Sequence, residues 1–157
     1  MAGIIEERLR ELGIELPEAR APRVAKIRGA NLAGNILYVS GQVPQWNGEI
    51  RYIGKVGKDF TMEEGKAAAR LSALNVLAHA KEALDGDLDR IAQVARIKGY
   101  VNATDDLVTI AEVMNGASEL MVAVFHDDGH HARTVAGVSV MPFGVAIEVE
   151  AEFLVHG

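Results

Sequence analysis

At 157 residues the chain is long enough for one domain and short for two. Hydrophobic residues at 49% and charged residues at 24% give an ordinary globular balance, which argues against a disordered chain. A formal net charge of -6, with no dense Lys/Arg stripe, speaks against a nucleic-acid-tracking surface, and the lack of cysteine removes disulfides, thiolate chemistry and cysteine zinc sites. No apolar run is long enough for a secretory leader or a membrane span, so a cytoplasmic, membrane-free protein is expected.

Taken in chain order, "IIEERLRELG" has Ile5, Leu9 and Leu12 at helical spacing, with Gly13 as its stop. "LPEARAP" breaks that pattern and leads to a short strand expected near Val24–Arg28, followed by a strand in "NILYVSGQ". Asn47-Gly48 is the sharpest turn signal of the stretch that follows. "TMEEGKAAARLSALNVLAHAKEALDG" predicts the strongest helix. Thr61 and Glu64 fit a capping box, Ala67, Leu71, Leu74 and Ala78 form its stripe, and Gly86 suits its end. "IAQVARIKGYVNA" reads as a strand, and "DDLVTIAEVMNGASELMVAVF" as one second long helix capped at Asp105 or Asp106. "HDDGHH" is a loop, and two closing strands run from Arg133 to Val155.

This order predicts an α+β domain with both long helices on one face of a mixed sheet. In the last strand Val145, Ile147, Val149, Ala151 and Phe153 then point at the helices, and Glu148, Glu150 and Glu152 point away. Around Arg133 the residues are small or apolar on both sides, a pattern that calls for cover on both faces. A chain of this size has no helices to spare for the second face, so a homo-oligomer is expected.

Arg133 is the first candidate for chemistry, because its planar cationic fork matches a carboxylate with two parallel hydrogen bonds. The competing reading is a structural ion pair with Glu148, Glu150 or Glu152. For the glutamates, a solvated strand face competes with one of them orienting water near Arg133. The histidines and aspartates of "HDDGHH" lack metal-ligand spacing, so no metal site is expected. Ser40-Gly41 lacks the flanking glycines of a nucleophile elbow.

"LYVSGQVP", "EEGKAAARLSALNVLAHAKEALDGDLDRIAQVARIKGYVNA", "VMNGASELM" and "HARTVAGV…MPFGVAIEVEAEF", in that order, resemble the YjgF-like reactive-intermediate deaminase (Rid) superfamily, some members of which are called endoribonuclease L-PSP. The resemblance runs from about Val24 to Val155, so residues 1–22 are expected as an N-terminal helical extension and 23–157 as the YjgF/Rid-like domain. It implies a chorismate-mutase-like fold, a homotrimer with sheets facing inward, and a ligand cleft between adjacent subunits. It also implies that Arg133 binds the substrate carboxylate, that Glu148 orients water, and that Ser40, Gly41, Asn115 and Val135 line the substrate site. His131 stands where the family often has proline, Val135 where it has cysteine, and Lys26, Ile27 and Arg28 where it has a pocket tyrosine.

The function implied is hydrolysis of small 2-imino or 2-enamino carboxylates, with release of ammonia and without metal or organic cofactor, since an imine carbon is already electrophilic. Two alternatives stand beside it. One is a trimeric protein that binds a small carboxylate without turnover. The other is an endoribonuclease, which lacks the support of a basic stripe or an acid/base histidine pair.

Overall fold

The computed structural model describes residues 3–21 and 25–157. The helix signals at the N-terminus hold: α1 spans Ile4–Glu11, buries Ile5 and Leu9, and stops at Gly13, whose φ of +67° suits glycine. No strand forms at Ala25–Arg28, and Val24 lies outside the described residues. The first strand is instead β1, Ala30–Ala33, which turns at Gly34-Asn35 into β2, Ile36–Gln42. Gly34 takes a φ of +63°, so a hairpin signal sits inside "NLAGNILY", and pairing with β2 fixes where the strand can lie.

Asn47-Gly48 forms the expected turn, between the two-residue strands β3, Gln45–Trp46, and β4, Glu49–Ile50. Helix α2, Met62–Ala83, opens on a complete capping box between Thr61 and Glu64. Its buried surface is wider than a stripe, with every residue from Leu71 to Ala80 inside, while Ala67 of the expected stripe is exposed. Strand β5 is Ile91–Asn102.

The single helix expected from Asp105 to Phe125 is two helices: α3, Ile110–Val113, and α4, Asn115–Phe125. Neither Asp105 nor Asp106 caps them; Thr109 precedes α3 without a side-chain cap. Val108, Thr109 and Ile110 are β-branched and favour helix poorly, and the chain turns through Thr104–Val108 before it becomes helical.

Strands β6, Ala132–Val138, and β7, Ile147–Val155, close the chain without pairing with each other. The five-stranded sheet runs β1-β2-β7-β5-β6, antiparallel except for the β5–β6 pair, so it is the mixed sheet the element order predicts. In β7 Ile147, Val149, Ala151, Phe153 and Val155 are buried under α2 and α4, and Glu148, Glu150 and Glu152 face the other way. α1 is fastened at one end of this layer: Asp89 accepts from the N–H groups of Ile4 and Ile5, each at 2.9 Å.

Candidate functional site

The sheet carries two clusters of the expected residues, on opposite faces. The first is built by a bulge. Val39 of β2 faces Ala151 of β7 and Gln42 faces Val149, so Ser40 and Gly41 together oppose Glu150 alone. The bulge lays the Gly41 backbone against the Glu148 carboxylate, and a Cβ at Gly41 would overlap Glu148 Oε1. Ser40 is already engaged, donating from Oγ to the Arg28 carbonyl at 2.6 Å. Ser40, Gly41, Gln42 and Glu148 line a cleft of about 490 Å³. Ile27, Val43, Ile50 and Phe143 supply much of its remaining wall. Burial, and then the neighbouring Glu150, push the Glu148 carboxyl above its ordinary range. Glu150 is itself tied down, accepting from the Tyr100 hydroxyl at 2.8 Å.

The second cluster surrounds Arg133 on the helix side. Arg133 sits beside Ile97 in the β5–β6 register, and its Nη1 donates to Asn115 Oδ1 at 2.9 Å and Ser118 Oγ at 3.1 Å. Asn115 is available there because it opens α4 just after the break at Met114. The network continues inward. His131 Nδ1 lies 2.6 Å from the Gly129 carbonyl, which can only accept, so Nδ1 carries the proton and Nε2 is left to accept from Ser118 at 2.9 Å. Burial lowers the His131 pKa below 6.5; the Gly129 hydrogen bond opposes this, and the Arg133 and His130 charges reinforce it. The ring is therefore neutral near pH 7, in the form this chain of hydrogen bonds requires.

Sequence reasoning missed Ser118 as a partner of Arg133, and His131 as the residue that reaches Arg133 through Ser118. In the sequence His131 stands out as one of the potential ligands of "HDDGHH" and as the residue in the place of a proline, and Ser118 as one residue of a helix. Their pairing exists only once α4 and the start of β6 are packed together.

The structural ion pair weighed for Arg133 does not form within the chain: among the described residues no carboxylate lies within salt-bridge distance of its guanidinium. Glu148 is aligned with Tyr100 and Arg133 with Ile97, three residues apart on β5, and so they emerge on opposite faces. Val135 lies beside Gly99, half-buried against the core on the Arg133 side, and does not line the Glu148 cleft. The expected site residues thus separate into Ser40, Gly41 and Glu148 on one face, and Asn115, Arg133 and Val135 on the other. Among the described residues no three His, Asp or Glu side chains converge as a metal-binding group, and no helix is long and apolar enough to cross a membrane.

An α+β chain with this mixed sheet matches, over residues 6–151, the family described as "YjgF/chorismate_mutase-like, putative endoribonuclease". It is 40% identical over 151 residues to Protein TCP17 of Trypanosoma cruzi, covering 96% of this chain and 93% of that one. The crystal structure of Atu1372 from Agrobacterium tumefaciens, a protein of unknown function, is 38% identical with a TM-score of 0.90, covering 98% of this chain and 94% of that chain. The E. coli protein TdcF, crystallised with bound serine, shares the fold at 22% identity and a TM-score of 0.59, covering 90% of this chain and 94% of that one. The chain belongs to the YjgF/Rid superfamily.

Proposed function

We propose that this chain hydrolyses small 2-imino and 2-enamino carboxylates to 2-oxo acids and ammonia, at clefts completed between the subunits of a homotrimer. The observation that carries the proposal is the state of Arg133. Its guanidinium is held by two neutral side chains, Asn115 and Ser118, and has no carboxylate partner among the described residues. A positioned cation of this kind takes an external carboxylate with two charge-assisted hydrogen bonds.

Glu148 supplies the second requirement. Its raised pKa brings a carboxylate closer to neutrality, where it accepts a proton from water more effectively. With the carboxylate of the substrate on Arg133 of one subunit, the imine carbon lies toward Glu148 of its neighbour. Glu148 accepts a proton from water as the water oxygen bonds to that carbon, and the C=N electron pair moves to nitrogen, which takes up a proton. In the resulting carbinolamine the amino nitrogen takes up the proton that Glu148 removed from water, the hydroxyl gives up its proton to the vacated carboxylate, the C=O bond forms, and the C–N bond breaks with departure of ammonia. An enamine substrate first takes a proton on carbon to become the imine. The serine bound by TdcF shares with the proposed substrates a small size and a carboxylate.

The test is ammonia release from imines generated in situ by an amino acid oxidase, with wild-type protein and Arg133→Ala in parallel. Turnover by the wild type that is lost in the variant is the expected result. Thermal stabilisation by 2-oxo acids without any acceleration of ammonia release overturns the enzyme in favour of a carboxylate-binding protein. Cleavage of RNA by the wild type, retained in Arg133→Ala, overturns it in favour of an endoribonuclease.

A further inference from the structure

Of the described residues between α1 and β1, Arg20, Ala21, Ile27 and Gly29 line the Glu148 cleft. Pro17 is buried, and the Glu18 N–H donates to Asn47 Oδ1 at 2.8 Å. The Glu18–Asn47 bond ties residue 18 to the β3–β4 turn, next to the cleft wall that Arg20 and Ala21 share with Ile27 and Glu148.

The Arg20 guanidinium is held along one edge only. Glu18 Oε2 accepts from Nε at 3.2 Å and from Nη2 at 2.7 Å. Nη1 has no hydrogen-bond partner among the described residues, and it stands over Gly48, where a Cβ would come within 2.7 Å of it. The glycine of the β3–β4 turn therefore leaves the room that Nη1 occupies. Arg20 lines the cleft and Glu18 does not, so the cleft is presented with the cation rather than its counter-ion. The cleft that Arg20 and Glu148 both line has a mainly apolar surface, to which Ala21, Ile27, Val43, Ile50 and Phe143 contribute.

On the basis of the function proposed above, we infer that Arg20 is a specificity residue for substrates with a second acidic group. The matching ligand is a 2-imino acid whose side chain has a short apolar stem ending in a carboxylate. The stem lies against the apolar wall, and the terminal carboxylate accepts from Arg20 Nη1. The cation is preorganised by Glu18, so little side-chain entropy is lost on binding. The Arg20 side chain is 51% exposed, which limits the gain through solvent screening. A preference of about 10-fold over the same chain without its terminal charge is the scale expected of one charge-assisted hydrogen bond so placed.

The experiment compares calorimetric binding of 2-oxohexanoate and 2-oxoadipate, oxo acids of equal carbon number that differ in the terminal carboxylate. Both are titrated into wild-type protein, Arg20→Gln and Arg133→Ala. The expected result is about 10-fold tighter binding of 2-oxoadipate by the wild type, with the difference abolished in Arg20→Gln and 2-oxohexanoate affinity unchanged there. A wild type without the preference, or an Arg20→Gln protein that keeps it, overturns the inference. In that case Arg133-dependent binding of 2-oxohexanoate leaves the proposed carboxylate site standing. Failure of the wild type to bind either acid overturns both.

Discussion

Glu148 lies in a strand that buries every second residue, and its carboxyl is raised first by burial and then by Glu150. The folded chain holds this proton more tightly than the unfolded chain does. Its contribution to stability therefore falls as pH rises from 4.5 through the raised value. The proposed activity is expected to move the other way, because only the ionised carboxylate accepts a proton from water. Glu148→Gln is expected to lower kcat by about 10²- to 10⁴-fold, to remove the acid limb of the pH–rate profile, and to flatten the stability loss across the same window. Rate profiles and denaturant melts measured over one pH series check both signs. For Arg133, loss of the clamp is expected to weaken carboxylate binding roughly 10- to 150-fold in Arg133→Ala, from about 1.5–3 kcal/mol per charge-assisted bond. Arg133→Lys recovers part of this, since it keeps the charge but loses the planar fork. Calorimetry alongside the mass of the assembly separates lost affinity from lost assembly. Arg133 stood out because it breaks the apolar pattern of a strand, whereas Glu148 fits the same alternation as Glu150 and Glu152 and is distinguished from them in the sequence only by the family resemblance. Ser118 and His131 break no pattern, and their hydrogen bond spans two segments that come together only in the fold.

Elements whose signals are local read correctly in the sequence. Helix α2 has a capping box, a long apolar surface and a closing glycine, and these agree with one another. The Asn47-Gly48 turn is equally local, with both residues at positive φ. Elements fixed by distant packing did not read correctly. The first strand is set by its register with β2, and the break between α3 and α4 by what the helix must reach on either side of Met114. Gly116 illustrates the second case. Helix propensity alone says that Gly116→Ala gains about 1 kcal/mol. The added Cβ, however, would overlap the Lys66 carbonyl oxygen of α2, and that oxygen is part of a helix backbone that cannot rotate aside. Overpacking of this kind costs about 1–3 kcal/mol, so the penalty outweighs the propensity gain and Gly116→Ala is expected to destabilise. A denaturant melt that found the variant more stable than wild type would show that α2 and α4 are not in such close contact.

At the scale of the molecule, the helices cover one sheet face, and the other carries Glu148, Glu150, Glu152, Lys98 and Tyr100 with no covering helix among the described residues. On the helix side Arg133 reaches Asn115, and on the open side Glu148 lines its cleft, so no bending of one chain brings the two together. A second copy must supply the missing half if both act on one substrate. Light scattering at micromolar concentration is expected to return a trimer mass, and a monomer would remove the shared site along with the trimer. Mass alone does not reveal which residues meet, but mixing variants does. Arg133→Ala keeps Glu148, Glu148→Gln keeps Arg133, and each homotrimer alone is expected to be inactive. In the proposed ring of three, each site is expected to take Arg133 from one subunit and Glu148 from the next. After co-refolding equal amounts, a site is intact when its arginine comes from the Glu148→Gln chain and its glutamate from the Arg133→Ala chain, which occurs at about one site in four. Recovery of roughly a quarter of wild-type ammonia release is thus expected from two inactive proteins. If both residues of a site came from one chain, every site in the mixture would still lack one of them, and the mixed trimers would remain as inactive as their parents.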